Sequence, residues 1–163
     1  MPDPFNWIIE PITHNKKHGL GLGSMFCATN HEQLREAKFG AVVSVMGEAE
    51  LKLPEEIKHF RIMVGDSPTE NIKCFFDSAI KFIAEHIQNT NVLVHCKAGV
   101  SRSATVTGAY LMHVNAITAN EAIARMQSKR PVVFPNKGFV KQLKGFEREL
   151  ARRRENEFKC ICY

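Results

Sequence analysis

Val92-Leu93-Val94-His95-Cys96-Lys97-Ala98-Gly99-Val100-Ser101-Arg102-Ser103 sets an apolar, β-branched run against a short polar segment holding one glycine. The run reads as a buried strand, and Gly99 marks a turn. From Arg102 a helical pattern continues through Ala104, Val106, Ala109, Tyr110 and Leu111. Strand, tight loop and helix in that order turn successive backbone N–H groups inward and add the positive end of a helix, a cradle suited to a tetrahedral oxyanion. Cys96 stands on the floor of that cradle, with five residues between it and Arg102.

The groups that favour phosphate also favour a thiolate over a thiol, which makes Cys96 a candidate nucleophile. Arg102 offers a planar fork of donors that matches two phosphate oxygens at once, which lysine does less well. Ser103 is placed to hydrogen-bond the sulfur and help it leave. The competing reading is an inert buried cysteine, but the preceding strand, Gly99, Ser103 and the following helix favour chemistry. His95 to Ser103 fills the pattern His-Cys-x5-Arg-Ser and resembles the signature of the cysteine-dependent phosphatases, specifically the dual-specificity branch. The resemblance implies a cysteinyl-phosphate mechanism in which the N–H groups of Lys97, Ala98, Gly99, Val100, Ser101 and Arg102 bind phosphate and His95 supports the loop. It implies no metal and no organic cofactor, because the loop itself carries the positive field.

Phosphoryl transfer to a thiolate leaves an alkoxide or phenoxide that needs a proton, so a carboxylic acid must reach the leaving oxygen. The chain has three aspartates, Asp3, Asp66 and Asp77. Asp3 lies in a Pro-rich start, and Asp77 falls on the polar side of a helix at four-residue spacing from Lys73 and Lys81. Asp66, in Gly65-Asp66-Ser67-Pro68 after the strand His59 to Val64, occupies a loop fit for a general acid. It also matches the Asp-Ser-Pro position where the family carries its acid. A plain helix cap is the other role open to it.

The remaining chain alternates strands and helices, which suggests an α/β layer. Trp7-Ile8-Ile9, Leu20-Gly21-Leu22-Gly23 and Ala41 to Met46 read as strands, and Asn30 to Lys38 as a helix. Ile72 to Gln88 is the clearest helix, with Ile72, Phe75, Phe76, Ala79, Ile80, Ile83 and Ile87 on one stripe. Thr118 and Glu121 form a capping box, Arg130-Pro131 breaks the helix that follows, and Asn136 caps the last helix, whose buried face carries Phe139, Leu143, Phe146 and Leu150. The glycines from Gly19 to Gly23 are not a dinucleotide fingerprint, because Ser24 stands where glycine is required. His14 and His18, four apart, read as a polar turn rather than a metal site. Cys74 reads as an ordinary helix cysteine, with a redox partnership to Cys96 as the alternative.

Leu22-Gly23-Ser24, Ala109-Tyr110-Leu111-Met112, Arg130-Pro131, Pro135-Asn136, Gly138-Phe139 and Gln142-Leu143 extend the resemblance from Trp7 to Leu150. It implies a single α/β domain of protein tyrosine phosphatase type, with a central, mostly parallel twisted sheet of about five strands and helices on both faces. The expected boundaries are an N-terminal tail over 1–6, a catalytic domain over 7–151 and a basic C-terminal tail over 152–163. Asn136 is expected to support the phosphate loop. The expected activity is hydrolysis of phosphotyrosine and phosphoserine or phosphothreonine in proteins. The alternatives are a phosphoinositide, an RNA 5′ end or a phosphoglucan as substrate, or a binding module without turnover. Lys97 makes the loop more basic, as in lipid-directed relatives, but Val100 stands where their second lysine would be.

With 163 residues, 44% hydrophobic and 24% charged, the chain suits one globular domain. No apolar run reaches the ~18–20 residues of a membrane span, and the start lacks the pattern of a signal peptide. Five scattered cysteines are no disulfide framework. A cytoplasmic location is expected, with the nucleus as the alternative. Of the net charge of +5, the segment from Lys137 carries +4, eight basic residues against four acidic. A solvated helix end is the expected reading, with no nucleic acid partner; membrane contact through the basic tail is the lesser one. Cys160-Ile161-Cys162-Tyr163 has the outline of a prenylation box but ends on an unusual tyrosine, so an unmodified chain is expected.

Overall fold

The run from Asn91 to Cys96 forms the middle of a five-stranded sheet. The structure is a computed structural model that describes residues 4–12, 17–48 and 50–161, without the side chains of 160 and 161. His14, Asp3, Cys162 and the Cys160 side chain lie outside the described residues. The elements are β1 (Phe5–Ile9), β2 (Leu20–Ser24), α1 (Met25–Thr29), α2 (His31–Glu36), β3 (Phe39–Val45), β4 (Lys58–Ile62), α3 (Phe76–His86), β5 (Asn91–Cys96), α4 (Arg102–Asn115), α5 (Ala119–Lys129) and α6 (Lys137–Ile161).

The strand order is β1-β2-β5-β3-β4, with β1 antiparallel to β2 and the other pairings parallel. A parallel sheet needs crossover helices on its faces, which is why the central strands are apolar on both sides. Alternation along β5 divides them. Val92, Val94 and Cys96 join the larger core under α3, α4, α5 and α6, whereas Leu93 joins Val42, Phe39 and Leu34 under α1 and α2. Together these observations match the expected single-domain α/β fold with its mostly parallel sheet of five strands.

Several local expectations change. The predicted Ile72–Gln88 helix opens instead as a 3-10 turn over Lys73–Phe75. There the Lys73 N–H is taken by Gln142 Oε1 at 2.9 Å, and Phe75 N–H bonds the carbonyl of Ile72. The predicted Asn30–Lys38 helix is shorter. Asn30 caps it by accepting from Gln33 N–H at 3.1 Å, and it ends before Lys38, which turns left-handed at φ 54°. The short helix α1 has no sequence signal, since its N-cap Ser24 makes no side-chain bond.

Both expected domain edges also move. Strand β1 begins at Phe5, inside the predicted N-terminal tail, and α6 continues as helix through 152–161. Those residues are tied to the domain. Arg153 pairs with both carboxylate oxygens of Asp77 at 2.6 and 2.9 Å, and Arg154 Nη2 donates to the carbonyls of Met112 and His113 at the end of α4. A cation there meets the negative end of the α4 dipole. At the other end of α6, Gly138 leaves room for Pro68, whose carbonyl a Cβ would overlap.

Candidate active site

Cys96 ends β5 beside Ser24 of β2, and the backbone then leaves the sheet through the loop 97–101. Gly99 has φ +69°, and a Cβ there would lie 2.6 Å from the Gly23 carbonyl oxygen and 2.9 Å from Arg130 Nη2. Only glycine fits such a position. Each carbonyl of the loop is taken from outside. Met25 N–H donates to Lys97 O at 3.2 Å, Arg130 donates to Ala98 O and Gly99 O at 3.4 and 3.0 Å, and Phe134 N–H donates to Val100 O at 2.9 Å. Because a trans peptide points its N–H opposite its carbonyl, the N–H groups of Ala98, Gly99, Val100 and Ser101 face inward. Arg130 is itself buried and also donates to Asn6 Oδ1 at 2.8 Å, so β1 is tied to the loop.

The sulfur lies under this ring of donors. Gly99 N–H and the Ser103 hydroxyl donate to Cys96 Sγ at 3.3 and 3.2 Å. Cys96 and Arg102 are 2% and 3% exposed, and Ser103 is fully buried. Arg102 Nη1 donates to both oxygens of Glu48 at 2.7 Å and to Val64 O at 3.3 Å, while its Nε is buried without a hydrogen-bond partner among the described residues. Burial opposes the Arg102 charge, but the Glu48 hydrogen bond and the nearby Cys96, Glu48 and Asp66 outweigh it, so its pKa is raised. The same bond from Arg102 pulls the Glu48 carboxyl below the usual range.

Asp66 is brought to the same place. Its Oδ1 accepts from Ser101 Oγ and Asn136 Nδ2, both at 2.8 Å, and its Oδ2 lies 3.9 Å from Arg102 Nε. These are not the bonds of a helix cap, so Asp66 does not serve that role here. Asn136 does: its Oδ1 accepts from Phe139 N–H at 3.0 Å at the start of α6, while its own N–H donates to Ser101 Oγ at 3.1 Å. Asn136 therefore supports both the loop and the carboxylate. His95 is fully buried, with its Nε2 2.6 Å from Ser44 Oγ.

The sequence-derived residues Cys96, Arg102, Ser103, Asp66, Asn136, His95 and the loop from Lys97 to Ser101 thus converge at one end of the sheet. Lys97 and Ala98 are exposed at its rim. Cys74 is exposed on the 3-10 turn, its thiol on the carbonyl of Asn71 at 3.1 Å. Three contributors were missed. Glu48 follows β3 in the unpatterned Gly47-Glu48-Ala49-Glu50, Arg130 reads in sequence as a helix breaker and part of a family-like Arg-Pro pair with no sign of its bonds to the loop, and Ser44 looks like a gap in an apolar strand. Among the described residues no group of three His, Cys, Asp or Glu side chains could hold a metal ion, and no helix is long and apolar enough to cross a membrane.

Residues 20–149 match the family described as dual specificity phosphatase, catalytic domain. A probable dual specificity protein phosphatase of Dictyostelium discoideum is 38% identical over 138 residues, which is 85% of this chain and 35% of the relative, so the chain spans about a third of that protein's length. Among solved structures, human DUSP28 is 29% identical with a TM-score of 0.83, covering 93% of this chain and 97% of that one. A mouse putative dual specificity phosphatase complexed with zinc tungstate is 28% identical with a TM-score of 0.84, covering 94% and 92%.

Proposed function

Because the chain belongs to the dual specificity phosphatase family, we propose that it hydrolyses phosphotyrosine and phosphoserine or phosphothreonine esters of proteins through a cysteinyl-phosphate intermediate. One observation carries this reading: the Cys96 sulfur lies at the base of a ring of inward N–H groups, near a buried Arg102 Nε that makes no hydrogen bond among the described residues. A buried guanidinium N–H left unbonded is costly, and a phosphoryl oxygen is the acceptor that satisfies it. The mouse relative complexed with zinc tungstate supports an oxyanion as ligand.

In the first step the Cys96 thiolate attacks phosphorus in line. The loop N–H groups and Arg102 hold the equatorial oxygens as the S–P bond forms and the ester P–O bond breaks, and Asp66 gives its proton to the departing oxygen. In the second step water attacks the cysteinyl phosphate, Asp66 takes a water proton, and the Ser103 hydroxyl stabilises the sulfur as it leaves. Inorganic phosphate is released and the thiolate restored.

The rim supports a protein substrate. Phe134, 74% exposed, is bonded through its N–H to Val100, and Phe26, 76% exposed, follows Met25, bonded to Lys97. Exposed aromatics carried on segments bonded to the phosphate loop suit the apolar side chains around a phosphorylated residue. A panel of phosphopeptides, phosphoinositide vesicles and an RNA 5′-triphosphate tests the reading. Phosphopeptides are expected to give the highest kcat/KM, and a preference for the lipid or the RNA would replace the protein reading.

A further inference from the structure

Three side chains on three neighbouring strands lie in a line that ends on the nucleophile's own peptide. His59 on β4 has its Nε2 2.7 Å from Ser44 Oγ on β3, Ser44 Oγ is 2.6 Å from His95 Nε2 on β5, and His95 Nδ1 is 3.3 Å from the carbonyl oxygen of Cys96. Ser44 is 3% exposed, His95 is fully buried and His59 is half-buried. Building on the catalytic reading above, we propose that His59 is a positioning residue that acts through Ser44 to fix the tautomer and ring orientation of His95, and with them the peptide that carries Cys96.

The direction of the chain follows from what each atom can do. A carbonyl oxygen only accepts, so His95 Nδ1 carries the hydrogen and its Nε2 is a bare acceptor. The neighbour of that acceptor is Ser44, which must donate its single hydroxyl hydrogen to it. The Ser44 oxygen then accepts from His59 Nε2–H. Reversing the chain would place a lone pair of His95 Nδ1 against the lone pairs of the Cys96 carbonyl, which is repulsive. The Cys96 carbonyl thus favours this direction from the inner end, and His59 locks it from the outer end, because its Nε2–H donates to Ser44 and commits the single Ser44 hydrogen to His95. The arrangement survives protonation of His59, because the added proton goes to Nδ1 and leaves Nε2–H in place.

Neutrality of the inner ring belongs to the same picture. Burial pushes the His95 pKa down to about 4, against a raising bond to the Cys96 carbonyl and with a further lowering by His59. A charged ring would donate from both nitrogens and turn the Ser44 hydroxyl around. The consequence for chemistry is positional. The Cys96 carbonyl marks where β5 becomes the loop, and a ring in the wrong tautomer pushes that junction and moves Sγ against Gly99 N–H and the phosphorus it attacks. Misplacement of a reacting atom costs rate far more than binding, which rests on the loop and Arg102.

The test uses the full chain with His59→Leu, His59→Gln and Ser44→Ala, together with the Ser44→Ala/His59→Leu double variant, each confirmed folded by circular dichroism and a cooperative melt. Two-dimensional 15N–1H correlation of the histidine rings at neutral pH reads the tautomers directly. His95 is expected as Nδ1–H with an accepting Nε2 in the wild type and in His59→Gln, whose amide Nε2 is a donor like the imidazole, and as a tautomer mixture in His59→Leu. On an aryl phosphate, kcat should fall about tenfold in His59→Leu with KM within twofold. His59→Gln should recover most of the rate. The double variant should be no slower than Ser44→Ala, since the two act as one unit. A wild-type His95 found as Nε2–H overturns the proposal, as does His59→Leu with unchanged kcat or a double variant with multiplied losses. If the wild type turned over no phosphate ester at all, the catalytic reading would fall while the ring spectra still decided the relay.

Discussion

Glu48 grips Arg102 by one edge of the guanidinium: both carboxylate oxygens lie 2.7 Å from Nη1, while Nε, on the opposite edge, is buried without a hydrogen-bond partner among the described residues. Glu48 thus anchors one edge of the arginine and leaves the Nε–H to a phosphoryl oxygen. A guanidinium so held has already lost its rotational freedom before substrate arrives, and loss of the anchor should weaken catalysis without touching the nucleophile. Glu48→Gln should lower kcat/KM about tenfold, the equivalent of one charge-assisted hydrogen bond of about 1.4 kcal/mol. The inhibition constant for inorganic phosphate should rise alongside. An unchanged phosphate affinity would show that Glu48 does not orient Arg102.

Asp66 takes the hydrogen bonds of Ser101 and Asn136 on one oxygen, while the other, 3.9 Å from Arg102 Nε, is left to exchange a proton. An acid matters most when the leaving oxygen is basic. Asp66→Asn should slow an alkyl phosphate about 10²–10⁴-fold, and an activated aryl phosphate far less. Asn136→Ala should show the same leaving-group pattern on a smaller scale. Equal losses on both esters would assign the proton to another group.

The buried His95 gives stability a distinct pH dependence. Its pKa is lowered from 6.5 unfolded to about 4 folded, so the unfolded chain binds the proton more tightly. The contribution is therefore complete above the unfolded value and is lost as pH falls toward the folded one. That difference corresponds to about 3 kcal/mol in all, of which about 2 kcal/mol is lost between pH 7 and pH 5. His59, whose pKa is lowered by burial and then by Arg61, adds in the same direction. Urea midpoints should fall across this interval, and His95→Gln should flatten the fall. A midpoint independent of pH from 7 to 5 would contradict a buried neutral His95.

How much of this was legible in the sequence depends on whether a residue acts through its neighbours in the chain or across it. The run Val92–Cys96, Gly99, Arg102 and Ser103 declare themselves because strand, turn and helix are local patterns, and Asp66 is marked by its Gly and Pro neighbours. The Thr118 and Glu121 capping box forms as read, with each side chain bonded to the other's backbone. Glu48, Arg130, Ser44 and His59 carry no such mark. Each works over 15 or more positions, as in the 54 between Glu48 and Arg102 and the 31 between Arg130 and Gly99. Only the sheet order brings them together. The end of α6 was hidden for a different reason: an exposed stretch rich in Arg and Glu looks like a solvated tail, whereas Arg153 and Arg154 are spent on Asp77 and on the end of α4.

Everything proposed for the site rests on covalent transfer to Cys96. Rapid acid quenching during turnover of a radiolabelled phosphoprotein or aryl phosphate, followed by peptide mapping, reads that step directly. The label should appear on the peptide containing Cys96 in the wild type, accumulate when the second step is slowed by Ser103→Ala, and be absent in Cys96→Ser, which should have no turnover and yet retain binding of phosphate esters. Turnover without a labelled cysteine, or substantial activity remaining in Cys96→Ser, would contradict the mechanism.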